Sequence, residues 1–158
     1  MIDLGIAVDG GKDSVSMAAR VGKETVKAPN EVVISAYAPV PDIEKTVTPD
    51  IKRPGESRLG VIDISGGKAR LGGSALAQAL GSTGSESPDI DDPQRLAAAF
   101  NAVQELISDD LVMAGHDISD GGLMTALAEM AMSGSCGMDI DFPASGTSSM
   151  ERLFSEEA

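Results

Sequence analysis

The run Gly115-His116-Asp117-Ile118-Ser119-Asp120-Gly121-Gly122 gathers three kinds of group that handle a phosphate or a metal. Asp117 is a hard oxygen ligand suited to Mg²⁺. The Ser119 hydroxyl can donate to a phosphate oxygen. Gly121 and Gly122 let a backbone approach a ligand closely, and the helix expected after them would present unpaired N–H groups to an anion. The same run also fits a plain capped turn, with Ser119 or Asp120 as the N-cap and the glycines making the bend. A second pair, Gly72-Gly73-Ser74 before Ala75, raises the same two alternatives, with Gly73 and Ser74 as the candidate phosphate contacts. The stretch Gly5 to Lys12 has the GxxxxG spacing of a P-loop, but Gly11 stands where the motif needs lysine, which rejects it.

His116 is the one histidine, so a histidine-rich zinc centre is excluded and orienting its own loop is the expected role. Cys136 is the one cysteine, with no basic neighbour in sequence to activate it; it reads as a small packing residue. No intrachain disulfide or CxxC site can form, which fits a reducing, cytoplasmic setting.

These residues need elements to hold them. Strands are expected at Ile2–Val8, Glu31–Val40, Leu59–Ile64, Leu111–Ala114 and Gly137–Phe142, where β-branched and apolar residues cluster. Glu31–Val40, apolar at both alternating sets, predicts a strand buried on both faces. Asp13 or Ser14 is placed to cap a helix through Met17–Arg20, and Thr25–Asn30 reads as a connector. Helices are expected over Ala75–Leu80, from Asp92-Pro93 to about Ser108, over Leu123–Met132 with Gly134 as a left-handed stop, and from Ser148 to the chain end. Leu96, Phe100, Val103 and Ile107 recur at helical spacing, and Met113, Met124, Met130 and Met132 are assigned to core packing.

The 158 residues carry 12 Lys and Arg against 25 Asp and Glu, a net charge of -13. That excludes a nucleic-acid backbone binder and a protein that docks on anionic membrane. No apolar run approaches the roughly 20 residues of a membrane span.

Several stretches together resemble the large single-chain phosphoribosylformylglycinamidine synthases: IAVDGGKDSVSMAAR, VVISAYAPVPDIEKTVTPDIK, RLGGSALAQ, PDIDD and AGHDISDGGLMTALAEMAMSGSCGMDIDF. The resemblance implies an α/β (α+β) fold, a mixed sheet packed by helices, like the C-terminal domain of aminoimidazole ribonucleotide synthetase and truncated at its C-terminus. It implies that residues 1–28 are the tail of a preceding N-terminal-type synthetase domain and that 29–158 are an incomplete C-terminal-type domain from the second synthetase half.

The family joins ATP and glutamine to formylglycinamide ribonucleotide, giving the amidine in de novo purine synthesis. The resemblance therefore implies a segment of a carbon–nitrogen ligase with glutamine as amido donor. ATP or ADP and Mg²⁺ are the implied cofactors, Asp117 the metal ligand and Ser119 the nucleotide contact, with no catalytic residue in this segment. The implied partners are the first synthetase half and the glutaminase domain. The alternative is a folding or interaction module of the same superfamily with no chemistry of its own. Taken alone, the segment is expected to be inactive and, with apolar faces and a strand edge left unpaired, to self-associate or to be of low stability.

Overall fold

The computed structural model describes residues 1–12, 16–28, 32–142 and 146–157. They fall into two compact units, Met1–Ile43 and Glu44–Ala158. Helices and a small antiparallel sheet together make this a mixed α/β chain.

In the first unit a 3-10 turn, Ile2–Leu4, stands where a strand was expected, and Gly5 ends it at φ 66°. The sheet is a hairpin of β1 (Ala18–Val21) and β2 (Glu24–Lys27), with Ala19 opposite Val26 and Arg20 opposite Thr25. This replaces the helix expected through Met17–Arg20 and the connector after it. Val21, Thr25 and Val26 favour an extended chain, and Gly22, at φ 63°, opens a two-residue connection that folds it back. The Ala28 N–H closes the ladder on the Met17 carbonyl at 2.9 Å. The capping role given to Asp13 or Ser14 and the expectations at Pro29, Asn30 and Glu31 lie outside the described residues.

Among its described residues the second unit holds four α-helices: α1 (Ala75–Ala79), α2 (Pro93–Ser108), α3 (Gly122–Ser133) and α4 (Ser149–Phe154). α2 starts as its sequence dictates. The Asp92 carboxylate accepts from the Gln94 and Arg95 N–H groups, each at 3.1 Å, and Pro93 takes the first helical position, where no N–H partner is needed. At the other end of α3, the N–H groups of Ser135 and Cys136 reach back to the carbonyls of Met132 and Ala131. That pattern needs one left-handed residue, and it is Ser135, at φ 50°, rather than Gly134, at φ −80°. Gly134 answers a different need: a Cβ there would stand 2.8 Å from the Ile51 backbone nitrogen.

α4 is shorter than expected. Ser148 and Glu151 form a reciprocal capping box at its start, but the chain turns extended at Ser155, ψ 139°, so that residues 155–157 leave the helix.

Residues 32–40, 59–64, 111–114 and 137–142 form no ladder among the described residues. A strand is held by hydrogen bonds to a neighbour, and these segments do not pair with one another. Val32, Val33, Ile34, Tyr37, Leu59 and Val61 are exposed, so the burial on both faces expected of Glu31–Val40 is not found in its described residues, 32–40. Among the described residues the buried apolar ones, Ala77, Ala126, Leu127 and Met130, lie on α1 and α3. Of the four methionines assigned to packing only Met130 is buried, whereas Met132 is 71% exposed. α2 likewise keeps Phe100 61% exposed, and its apolar stripe is at most half-buried.

Candidate functional site

The loop 115–121 is held at both ends. The Gly115 N–H donates to the Thr48 carbonyl at 3.2 Å, and the Gly122 N–H to the Ser119 carbonyl at 2.8 Å. Between them, both ring nitrogens of His116 face oxygens: Nδ1 lies 2.7 Å from the Asp117 carbonyl and Nε2 lies 2.6 Å from Glu129 Oε2 on α3. A carbonyl and an ionised carboxylate only accept hydrogen bonds, so the doubly protonated imidazolium satisfies both. The Asp117 carbonyl, followed by the Glu129 carboxylate, accordingly raises the His116 pKa above its ordinary value. His116 therefore ties the loop to α3, the orienting role its sequence position suggested.

The Asp117 side chain is 81% exposed, with Oδ1 3.4 Å from His116 Nδ1. Ser119 and Asp120 are exposed too, and neither caps α3: the N-cap is Gly121, at φ 85°, with no side-chain hydrogen bond to the helix. Among the described residues no group of three or more His, Cys, Asp or Glu side chains is disposed around a common point to hold a metal. Asp117 thus offers one carboxylate, a donor set that fits Mg²⁺ only where phosphates and water complete the shell.

The second glycine pair lies in the same unit. Ser74 is fully buried and caps α1: its Oγ donates to the Leu71 carbonyl at 2.7 Å and accepts from the Ala77 N–H at 3.2 Å. Gly72 must be a glycine, since a Cβ there would stand 2.3 Å from the Glu86 carbonyl oxygen to which the Gly72 N–H donates. Gly73 is exposed at φ 74°, and its N–H donates to the Thr83 carbonyl at 2.8 Å.

The structure brings the two turns to one atom. Glu156 Oε1 accepts from the Ala75 N–H, at the start of α1, and from the Gly121 N–H, at the start of α3, both at 2.8 Å. The next residue, Glu157, takes Arg70 in a two-pronged pair, Nε to Oε1 and Nη2 to Oε2, each 2.7 Å, and also accepts from the Arg70 backbone N–H at 2.9 Å. Both side chains are nearly buried, 12% and 7% exposed. The hydrogen bond to Arg70 holds the Glu157 carboxyl below its ordinary pKa and raises that of Arg70. Arg70 Nη2 continues to Asp91, which also binds Lys68, and to the Asp89 carbonyl. Gly122 allows this arrangement: at φ 68°, its Cβ would stand 2.7 Å from the Ser155 carbonyl oxygen and 2.8 Å from that of Leu153.

Glu129, Glu156, Glu157 and Arg70 were not singled out from the sequence. Each acts on a residue distant in the chain, and no local spacing announces such a contact. A cleft of about 270 Å³ adjoins the loop, walled by Val61, Ile62, Ile118 and Leu123, with Arg152 and Glu157 at its polar side.

Residues 60–158 match the family described as AIR synthase related protein, C-terminal domain, and residues 1–39 match the FGAR-AT PurM_N-like domain. The chain belongs to the AIR synthase related protein, C-terminal domain family. At the level of individual proteins, it is 55% identical over 158 residues to the Arabidopsis thaliana protein named probable phosphoribosylformylglycinamidine synthase, chloroplastic/mitochondrial. It is 54% identical over 158 residues to the Homo sapiens phosphoribosylformylglycinamidine synthase, and 50% over 141 residues to that of Drosophila melanogaster. These matches cover 99%, 99% and 88% of this chain, but only 11%, 12% and 10% of the relatives. The chain spans about a tenth of their length. Among the described residues no helix is long and apolar enough to cross a membrane.

Proposed function

We propose that this chain acts as a segment of a phosphoribosylformylglycinamidine synthase, a carbon–nitrogen ligase that uses ATP and glutamine in purine biosynthesis. The observation that carries this reading is identity of 54–55% across 99% of the chain to two proteins of that name. The two family matches, over residues 1–39 and 60–158, support a chain that joins two domain types; our reading puts the division between 28 and 29. Its partners are the remaining domains of the parent, the first synthetase half and the glutaminase domain. The exposed Val32, Val33, Ile34, Leu59 and Val61 support apolar contacts with them, and self-association when they are absent. The single cysteine suits a reducing compartment such as the cytoplasm.

Within the parent, the 115–122 loop is one side of a nucleotide site. Asp117 contributes a carboxylate to Mg²⁺, which when bound offsets phosphate charge, and Ser119 contacts a phosphate oxygen. His116, clamped between Glu129 and the Asp117 carbonyl, fixes the backbone from which Asp117 projects. The exposure of Asp117 and Ser119 supports their being open to a ligand. Gly121, Gly122, Gly73 and Ser74 shape the two turns. A phosphate that sought the Gly121 N–H would compete with the Glu156 carboxylate for the same donor.

The test is titration of ADP–Mg²⁺ into the intact parent, wild type against Asp117→Asn, by calorimetry. Loss of a charge-assisted contact is expected to weaken binding about ten- to a hundredfold. Because the Asp117 side chain is 81% exposed, the melting temperature without nucleotide is expected to stay put. Equal affinity in the two proteins would leave Asp117 as an ordinary loop residue.

A further inference from the structure

We propose that Glu156 is a clasp that makes the two glycine turns order and open as one unit. The argument starts from a single oxygen. Glu156 Oε1 accepts from the Ala75 N–H and from the Gly121 N–H, both at 2.8 Å. These are amides at the first turns of α1 and α3, which have no partner within their own helices. An ionised carboxylate oxygen has the lone pairs to hold both, and the bonds are charge-assisted.

The clasp is itself braced. Glu157, one residue on, is fixed by Arg70 through its side chain and its backbone N–H. One residue back, the Ser155 carbonyl lies against Gly122, so close that a Cβ there would stand 2.7 Å away. Glu156 is therefore held on both sides by contacts other than the two amides it binds. A displacement of the 72–74 turn or of the 119–121 turn strains the same carboxylate, so the 119–121 loop is linked to the start of α1 through Glu156.

Amide hydrogen exchange on the full chain by NMR tests this. In Glu156→Ala the Ala75 and Gly121 amides are expected to exchange faster together, by about tenfold or more. The Leu111 amide, bonded to Leu106 at the end of α2, and the Cys136 amide, bonded to Ala131 at the end of α3, are expected to keep their rates. Glu156→Gln, which retains a carbonyl oxygen but no charge, is expected to speed both clasped amides by a smaller, matched factor. The proposal is overturned if only one of the two amides responds, if neither does, or if Leu111 and Cys136 accelerate equally in both variants, since that would mean general loosening.

Discussion

At the start of α1 the orphan amides meet a serine from the same turn, whereas at the start of α3 they meet a glutamate from the far end of the unit. Ser74 caps α1 from within four residues, and Glu156 adds a bond to Ala75. α3 has no side-chain cap of its own: its N-cap is Gly121 rather than Ser119 or Asp120, the residue types that cap helices, and Glu156 serves Gly121. The difference shows that two similar glycine turns can satisfy the same backbone chemistry by a local and a non-local route. The Ser74 bond to Ala77 needs only its own turn, whereas the bonds from Glu156 hold only while residues 155–157 stay docked.

The largest effect is expected where the non-local route is tightest. Gly122→Ala places a methyl group within 2.7–2.8 Å of the 153–155 backbone at a left-handed φ of 68°. It is expected to destabilise the second unit by about 1–3 kcal/mol, read as a lowered midpoint in chemical unfolding. An unchanged midpoint would mean that residues 153–155 do not need this close approach.

A smaller loss is expected at the local cap. Ser74→Ala removes the acceptor for the Ala77 N–H and is expected to cost about 1 kcal/mol. Asp120→Ala, the parallel change before α3, is expected to stay within about 0.5 kcal/mol because Asp120 caps nothing. Equal losses in the two variants, measured by thermal melts, would erase the contrast between the turns.

The smallest effects are expected with pH, and they separate the docked tail from the loop. Glu157 has a folded pKa below the ordinary 4.5, so it contributes stability above that value and loses it as pH falls through the depressed one. His116 has a folded pKa above 6.5, so its contribution is complete below 6.5 and disappears as pH rises through the raised value. Melts across pH are expected to show Arg70→Gln flattening the acid limb and Glu129→Gln the neutral-to-alkaline limb. A swap of those limbs, or no change in either, would contradict the assignment of the two pairs.

Local chemistry accounts for what the sequence determined. Asp92-Pro93 set the start of α2, Ser74 that of α1 and Ser148 with Glu151 that of α4, because caps act across three or four residues whatever lies around them. The several collinear motifs carried the family resemblance, which the matches over residues 60–158 and along nearly the whole chain bear out. The loop bearing Asp117 and Ser119 was legible as a unit, and so was the orienting role of His116, although its partner Glu129 was not.

Tertiary structure decided the rest. Whether Glu31–Val40 or Leu59–Ile64 becomes a strand depends on a neighbouring edge, which apolar alternation cannot supply. Whether Met132 or Phe100 is buried depends on what packs over it. That Glu156 holds two turns and Glu157 holds Arg70 depends on residues 155–157 leaving α4 and crossing to α1 and α3. Such contacts join residues far apart in the chain, and their energy exists only once the fold has brought them within hydrogen-bonding distance.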